Sequence, residues 1–280
     1  MCVDFLYSSV FGRLVMKAIL NSKLLPLAAK FMQSPASRIM IAPYIRRNKI
    51  SMDEFRDQRF NSFADFFARF RPLGSLAHRD GVMISPCDGL LSIYDINDGA
   101  EFRVKGSLYR MNDLIPEKET ADKFKDGLCM IFRLRANDYH HFCYIDDCIH
   151  SKGHWIDGKL HAVQPIACST VPVYRLNRRQ WSLLHTKNFG LVAQIEVGAM
   201  LVGGIVHNKA GEEAKRGEEM GHFELAGSTI ILLFTKAVKD SLRLMPEYCG
   251  IIDSDKERHV RQGAEVASIG RVYITSMEAR

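Results

Sequence analysis

A short apolar segment near the end of the chain constrains the fold more than any other feature. Residues 229–234 are Thr-Ile-Ile-Leu-Leu-Phe, a run rich in β-branched, aliphatic and aromatic side chains with no charge. Such a run is typical of a strand that lies inside the protein, because a strand at the surface would alternate apolar with polar residues. The sequence therefore predicts a β-rich core with this strand in its interior.

The residues directly before this strand, Gly227 and Ser228, offer a specific chemistry. Glycine tolerates strained backbone conformations, so Ser228 Oγ could turn back on the Gly227 carbonyl carbon. Attack there gives an ester by an N-to-O acyl shift, and β-elimination then breaks the chain and leaves a dehydroalanine. Hydrolysis releases ammonia and leaves a pyruvoyl group. The tripeptide Gly-Ser-Thr at 227–229 is also typical of an ordinary turn before a strand, and taken alone it favours that interpretation.

The composition is that of an ordinary globular protein, with 47% hydrophobic and 25% charged residues in a chain of 280. This length suits one large domain or two small ones. The seven cysteines are odd in number and scattered, and they include no Cys-x-x-Cys pair. This pattern favours reduced thiols in a cytosolic setting over a disulfide framework.

Residues 1–50 form a basic region that differs from the rest of the chain. Apolar residues recur there at helical spacing, basic residues interrupt them, and no acidic residue lies between Asp4 and Asp53. No uncharged stretch approaches the roughly 18 residues that a membrane-spanning helix needs. We expect amphipathic helices that lie in the headgroup plane of an anionic membrane, or else a helical hairpin that packs on its own domain. Residues 51–280 are predicted to form a second, β-rich domain.

The net charge of +6 would suit a nucleic-acid partner as well as an anionic membrane. However, the sequence has no groove-reading motif and no basic cluster with interleaved aromatic residues. We therefore expect no nucleic-acid binding.

From residue 82 onward, short apolar runs between turn residues predict a series of strands. The predicted strands are 82–84, 90–94, 128–134, 191–197, 200–206 and 229–234. A helix is predicted over 111–123, with Asn112 as its cap. These elements together predict an α+β fold with a β-rich core.

Several blocks of the sequence, in the same order, resemble the phosphatidylserine decarboxylase family. They lie at residues 63–69, 85–89, 138–142, 189–203, 215–223 and 227–234. The first three are similar to the family's Phe-x-x-Phe-Phe-x-Arg signature, its Ser-Pro-x-Asp-Gly motif and its Asp-Tyr-His-Arg segment. An ordered set of blocks is far more specific than any one of them.

The resemblance implies a β-sandwich core related to the barrel-sandwich folds of lipoyl carriers. It implies a proenzyme that cuts itself between Gly227 and Ser228 into chains 1–227 and 228–280, which stay together as a heterodimer. Ser228 would become a pyruvoyl group, which forms a Schiff base with the amine of phosphatidylserine and accepts electrons as carbon dioxide leaves. The product would be phosphatidylethanolamine. The protein would be peripheral, on the cytoplasmic face of the cell membrane.

The resemblance also assigns Asp88, a histidine and Ser228 to the set that drives self-cleavage. Asp88 would orient the histidine and stabilise its imidazolium form, as in a catalytic triad. The family pattern is Tyr-His-Arg-x-His, whereas this chain has His140, then His141 at the arginine position and Cys143 at the second histidine position. A thiol is a poor general base at neutral pH. We therefore assign the base, and the proton donor in decarboxylation, to His140, with His141 in reserve.

The histidines and cysteines near this segment also raise the question of a metal site. Adjacent histidines on a strand point to opposite faces, so His140 and His141 are poorly arranged to share one ion. The spacing of Cys143, Cys148 and His150 fits no common zinc module. We expect no metal.

Two competing interpretations belong to other functional classes. A carrier or binding module of the barrel-sandwich type would need an exposed carrier lysine, and none with suitable flanks is evident near residues 215–223. A catalytically inactive paralogue is suggested by the missing second histidine. The intact Ala-Gly-Ser-Thr sequence at 226–229 argues against inactivity.

Overall fold

The computed structural model describes residues 2–21, 24–72, 79–97, 99–199, 202–208, 212–225 and 228–270. Both helices and antiparallel sheets are present, which confirms the predicted α+β class. The α-helices are α1 (Cys2–Ser8), α2 (Val10–Asn21), α3 (Leu24–Gln33), α4 (Ile41–Asn48), α5 (Phe63–Phe67), α6 (Met111–Leu114), α7 (Lys118–Asp122), α8 (Pro165–Thr170), α9 (Val173–Leu176) and α10 (Lys236–Ser241). Short 3₁₀ helices span Pro35–Met40, Asp53–Phe55 and Pro246–Ile251.

The strands begin at residue 82 and continue almost to the end of the described chain. They are β1 (Val82–Ile84), β2 (Gly89–Asp95), β3 (Glu101–Val104), β4 (Ser107–Arg110), β5 (Leu128–Leu134), β6 (His141–Cys143), β7 (Cys148–His150), β8 (His154–Ile156), β9 (Arg179–Thr186), β10 (Leu191–Val197), β11 (Val202–His207), β12 (Glu213–Ala214), β13 (Glu219–Leu225), β14 (Ser228–Phe234), β15 (Leu242–Leu244), β16 (Arg258–Val260) and β17 (Glu265–Ile269). The predicted strands at 128–134 and 191–197 match β5 and β10 residue for residue. The first two residues of the predicted strand 200–206 lie outside the described residues.

One large antiparallel sheet forms the centre of the molecule, with strand order β12-β7-β9-β10-β14-β5-β2-β16 and β8 paired to β9. Strand β14 lies between β10 and β5, so that Ile231 is opposite Ile195 on one side and Ile131 on the other. Every residue of β14 is buried. The prediction of an interior strand at 229–234 is therefore confirmed.

The two faces of this sheet bury separate cores, because successive side chains of a strand point to opposite faces. In β14, Ile231 and Leu233 belong to the core that α1, α2, α8 and the β3–β4 hairpin cover. Ile230 and Leu232 belong to the other core, which contains side chains of two smaller sheets, β1-β17-β15 and β11-β13-β6. The sheet-on-sheet packing is sandwich-like on this face only. The closer relation to barrel-sandwich folds stays a prediction.

The N-terminal region is helical, as predicted, and carries many exposed apolar side chains. The exposed large ones in this region are Phe5, Phe11, Leu14, Leu27, Phe31 and Ile39. Helix α1 nevertheless packs on the core through Leu6 and Tyr7, which are buried. No helix among the described residues is both long and apolar enough to cross a bilayer. The domain boundary at residue 50 stays a prediction.

The predicted helix over 111–123 is wrong in detail. The structure has two short helices there, α6 and α7, separated by a segment that contains Pro116. Proline has no backbone N–H to donate and restricts the residue before it, so a continuous helix is disfavoured. The first helix is capped at Arg110, whose backbone N–H donates to the Asp113 carboxylate at 3.1 Å, and not at Asn112.

Candidate active site

Ser228 opens the central strand β14, opposite Leu134 at the end of β5. Its side chain is buried, and its hydroxyl has no hydrogen-bond partner among the described residues. Buried hydroxyls are nearly always hydrogen-bonded, so an unpartnered one is unusual. Gly227, the other half of the predicted cleavage site, lies outside the described residues.

Asp88 directly precedes β2, which lies on the opposite side of β5 from β14 and Ser228. Its neighbour Gly89 is pressed against β5, where an added Cβ would lie 2.8 Å from the Arg133 carbonyl oxygen. A glycine is needed at that close approach. Since adjacent strands are about 4.8 Å apart, the backbones at Asp88 and Ser228 are separated by about 10 Å.

The carboxylate of Asp88 contacts an arginine and a backbone amide, and no contact joins it directly to a histidine among the described residues. Arg71 donates to it at 3.0 and 3.4 Å, and the backbone N–H of Gln262 donates at 2.8 Å. The predicted role of Asp88 in orienting the histidine by direct contact is thus not seen. Its negative charge does act on His140, since it raises the pKa of that imidazole against the stronger effects that lower it.

His140 is fully buried, and its two ring nitrogens have different environments. Nδ1 lies 3.0 Å from the Asp138 carbonyl oxygen, which can only accept, so Nδ1 carries a hydrogen. Nε2 has no partner among the described residues. Burial, followed by the nearby Arg69 charge, lowers the pKa of His140 to about 3. The ring is therefore neutral at ordinary pH and presents a free lone pair on Nε2.

The backbone places His140 close to the chain that leads into Ser228. The Phe223 N–H donates to the His140 carbonyl at 3.0 Å, and Phe223 belongs to β13, which ends three residues before Ser228. The ring of His140 packs on Phe67 with centroids 4.2 Å apart. Phe67 in turn belongs to the small apolar cluster that contains Leu225, the last residue of β13.

His141 is engaged through both ring nitrogens. Nδ1 lies 2.8 Å from Glu219 Oε1, and Nε2 lies 3.0 Å from the Ala68 carbonyl oxygen. The ring stacks between Tyr139 and His222, with centroids 4.8 Å from each. His141, Glu219 and His222 each place one possible metal-ligand atom within 4.8 Å of the others. His141 and Glu219 already contact each other directly, without an ion between them.

Cys143, at the second histidine position of the family pattern, is buried next to the Ser85 carbonyl, with Sγ 3.7 Å from that oxygen. Burial raises the pKa of its thiol to about 12. It is therefore protonated at neutral pH and is unsuited to act as a base.

A polar cleft of about 510 Å³ opens beside Asp88 and the segment that follows β5. Its ionisable lining residues are Lys49, Asp53, Glu54, Arg69, Arg71, Asp88, Arg135, Asp138, His259 and Arg261. The sequence marks Arg69 only as part of a motif, and it carries no sign of Arg71 or Gln262. The ion pair of Arg71 with Asp88 gave no local signal, because it depends on how the chain folds between distant residues.

Comparison with known proteins agrees with these observations. The sequence model of the phosphatidylserine decarboxylase family matches residues 63–266. Phosphatidylserine decarboxylase proenzyme 2 of Clostridium acetobutylicum is 39% identical over 239 residues, which cover 84% of this chain and 82% of that protein. The corresponding proenzyme of Clostridium kluyveri is 37% identical, with 81% and 80% covered. That of Clostridium perfringens is 33% identical, with 94% and 88% covered.

Proposed function

This chain belongs to the phosphatidylserine decarboxylase family, and on that premise we propose that it is a self-processing enzyme that converts phosphatidylserine to phosphatidylethanolamine. The observation that carries the proposal is the buried, unpartnered hydroxyl of Ser228 at the head of the central strand. A hydroxyl with no structural partner is free to react. It therefore fits a residue that is converted to a pyruvoyl group.

In the proposed cleavage, His140 Nε2 takes the proton from Ser228 Oγ while that oxygen forms a bond to the Gly227 carbonyl carbon. The bond from that carbon to the Ser228 nitrogen then breaks, and the nitrogen receives a proton, which leaves an ester. Loss of the Ser228 α-proton expels the Gly227 carboxylate and leaves a dehydroalanine. Water converts the dehydroalanine to the pyruvoyl group and ammonia. The products are chains 1–227 and 228–280, paired as a heterodimer.

The negative charge of Asp88 has a defined part in this step. His140 becomes positively charged when it accepts the proton, and a nearby carboxylate stabilises an imidazolium. The hydrogen bonds from Arg71 and the Gln262 N–H hold the Asp88 carboxylate in place. Asp88 therefore acts by charge on His140, without the direct hydrogen bond of a simple triad.

In the mature enzyme, the pyruvoyl group supplies an electron sink for the loss of carbon dioxide. His140, buried near the head of β14, is the proposed proton donor to the product. We propose that the polar cleft receives the anionic headgroup. Lys49 and Arg261 lie exposed at this cleft and offer positive charge to a phosphodiester.

The N-terminal helices are the proposed contact with the cytoplasmic face of the membrane. Phe11 and Leu14 of α2 are 67% and 61% exposed, and Ile39 is 77% exposed. Exposed apolar side chains of this kind, with basic residues between them, suit the interface of an anionic bilayer. The alternative, that this region only packs on its own core, applies to α1 but does not account for the exposure of these three residues.

Vesicle binding tests this part of the proposal. Phe11→Asp combined with Leu14→Asp should release the full-length protein from anionic vesicles, and added salt should weaken binding of the wild type. Ile252→Asp is the control, since Ile252 is also exposed but lies far along the chain from the N-terminal helices α1 to α4. Equal sedimentation of all three proteins with vesicles would contradict the proposal.

A denaturing gel with intact-mass measurement tests self-cleavage and separates the enzyme from a carrier module or an inactive paralogue. Wild-type protein should give two chains with a pyruvoyl group at the start of the smaller one. Ser228→Ala should give one uncut, inactive chain. Ser182→Ala is a matched control, because Ser182 is another buried serine without a partner in the described chain. Uncut wild-type protein with an unmodified Ser228 would refute the proposed mechanism.

A further inference from the structure

Arg69 is a buried cation that the proposed mechanism has not yet used. The residue is 3% exposed and follows α5. Its side-chain hydrogen bonds go to two backbone carbonyls, that of Phe66 at 3.5 Å and that of Asp138 at 3.3 Å. Among the described residues no carboxylate pairs with it, and its Nε has no partner.

An arginine buried in this way is costly, because the guanidinium leaves water without gaining a counter-charge. The neighbouring rings offset part of that cost. The Arg69 guanidinium carbon lies 5.0 Å from the ring centroid of Phe55 and 5.1 Å from that of Phe66, within the range of cation–π attraction. Other arginines of the same cleft are paired, since Arg71 binds Asp88 and Arg135 binds Asp138. The unpaired state of Arg69 therefore calls for a specific explanation.

The carbonyl oxygen of Asp138 connects Arg69 to His140. Arg69 Nη2 donates to this oxygen at 3.3 Å, and His140 Nδ1 donates to it at 3.0 Å. A carbonyl oxygen has two lone pairs and can accept both bonds. The Asp138 carboxylate is occupied elsewhere, by the backbone N–H of Arg135 at 2.7 Å and by the Arg135 guanidinium. Asp138 is thus held at two points: Arg135 binds its carboxylate, and Arg69 and His140 bind its carbonyl oxygen.

We infer that Arg69 is a positioning residue for self-cleavage, which holds the Asp138 carbonyl so that His140 keeps its hydrogen on Nδ1 and presents Nε2 as the proton acceptor. The inference rests on the proposed function of Ser228 and His140. It assigns a purpose to the last residue of the Phe-x-x-Phe-Phe-x-Arg signature. A carboxylate partner would draw the guanidinium away from the carbonyl, which explains why Arg69 has none among the described residues.

The charge of Arg69 has a second consequence at the same histidine. Three charged or titratable groups act on His140: Arg69 and His141 lower its pKa, and Asp88 raises it, while burial has the largest effect and lowers it. A depressed pKa keeps Nε2 unprotonated far below the usual histidine range near 6.5. Self-cleavage should therefore remain nearly constant as the pH falls through 6.5. The acid limb of the pH–rate profile is the pH range in which cleavage slows because Nε2 becomes protonated. Removing the Arg69 charge should move this acid limb to higher pH.

The test follows self-cleavage of the full chain after pulse-labelled cell-free synthesis, over a series of buffered pH values. Arg69→Met retains the apolar stem and removes the guanidinium, and it should slow cleavage about 10²-fold, the cost of a misplaced catalytic group. Its acid limb should also move to higher pH. Arg69→Lys keeps a charge without the planar fork, so it should cleave slowly with the acid limb near that of the wild type.

Arg110→Met is the control, because the Arg110 guanidinium is exposed, pairs with Glu101 and is not among the residues that line the cleft. It should cleave at the wild-type rate. Circular dichroism and a thermal melt establish that each variant is folded. If Arg69→Met does not fold, Arg69→Lys decides the matter.

The Ser228→Ala variant separates failure of the inference about Arg69 from failure of the proposed function. If folded Arg69→Met, or folded Arg69→Lys where the methionine variant does not fold, cleaves at the wild-type rate with the wild-type pH dependence, the inference about Arg69 is overturned. The proposed function survives that result as long as Ser228→Ala stays uncut. If the wild-type chain itself is never cut, the proposed function fails first, and the inference fails with it.

Discussion

Two groups of buried polar side chains lie near the same end of β5 and differ in how their polar atoms are satisfied. In the first, Glu257 accepts hydrogen bonds from Arg133 at 2.9 and 2.7 Å and from Lys105 at 2.9 Å. We call these three residues the closed cluster. In the second, Ser228, His140 and Arg69 each keep one buried polar atom without a partner among the described residues. We call these three the open site.

The difference shows how one fold treats structural and reactive polar groups. Each charge of the closed cluster has a counter-charge, and each of its side chains is largely buried, which favours a fixed arrangement. The open site lacks such pairing, although its His140 lies only seven positions after Arg133 in the chain. Buried polar atoms are rarely left unpartnered in folded proteins, and a catalytic role is one explanation for those that are. The contrast points to chemistry at the open site and to stability at the closed cluster.

The largest predicted effect concerns the carboxylate that supports the open site. Asp88→Ala should slow self-cleavage by about 10⁴-fold, as in triads that lose their aspartate. Asp88→Asn, which keeps an acceptor for the Gln262 N–H but removes the charge, should be nearly as slow. The cut fraction on denaturing gels over time measures both. Asp53→Ala is the control, because Asp53 lines the same cleft but lies at its exposed rim. Rapid cleavage of the Asp88 variants would remove Asp88 from the mechanism.

The second prediction separates the two adjacent histidines. His140→Ala should slow cleavage by about 10² to 10⁴-fold, the usual contribution of a general base. His141→Ala should have a smaller effect, because both nitrogens of His141 are already bonded to Glu219 and Ala68. The same time course measures both variants. The assignment is wrong if His141→Ala blocks cleavage while His140→Ala leaves cleavage and turnover unchanged.

The third prediction concerns the free energy of unfolding and not the rate of cleavage. Glu257→Ala leaves Arg133 and Lys105 without a counter-charge, and it should lower the free energy of unfolding by about 3 to 5 kcal/mol. Urea unfolding of the uncut Ser228→Ala chain, with and without Glu257→Ala, gives this difference.

Glu265→Ala is the control for that experiment, because the Arg79–Glu265 pair is exposed and should contribute no more than about 1 kcal/mol. A Glu257 variant as stable as the Glu265 variant would show that the closed cluster does not stabilise the fold.

The fourth prediction has a smaller expected effect: the stability that the closed cluster contributes should depend on pH. Burial alone would raise the pKa of Glu257, but the hydrogen bonds and charges of Arg133 and Lys105 outweigh it and lower that pKa. Its contribution is therefore complete above the unfolded-state value of about 4.3 and is lost as the pH falls through the lower folded-state value. The stability difference between the Ser228→Ala chain and its Glu257→Gln derivative should shrink in acid. A difference that stays constant with pH would mean that ionisation of Glu257 is not its source.

The sequence predicts the buried strands of the central sheet better than it predicts the open site. Strands β5 and β14 are almost continuous apolar runs, and in β10 only Gln194 and Glu196 interrupt the apolar residues, so local pattern places all three correctly. Strand β9 was not predicted, because polar residues such as Gln180, Ser182 and His185 interrupt its apolar ones. The predicted helix over 111–123 is too long because Pro116 interrupts it.

At the site, Ser228 and His140 follow from motifs, whereas their surroundings depend on contacts between distant parts of the chain. The acceptor of the His140 ring hydrogen is a backbone carbonyl, which no residue type reveals. The partner of Asp88 at Gln262 is 174 positions away. The cross-strand pairing of His141 with His222 depends on the register of β6 and β13. Such features appear only once the strands have been paired in space.

The central position of β14 has a consequence for the life of the protein after the proposed cut. The segment that would become the smaller chain supplies β14 to the middle of the large sheet, bonded to β10 and β5, and supplies β16 and β17 to other strands. The two chains are thus interleaved and cannot separate without dismantling the sheet. Before cleavage, refolding is a reaction of one chain. After it, refolding requires two molecules to meet and depends on their concentration. The mature protein should therefore owe its persistence to slow unfolding, and heat should inactivate it irreversibly where the uncut Ser228→Ala chain can still recover.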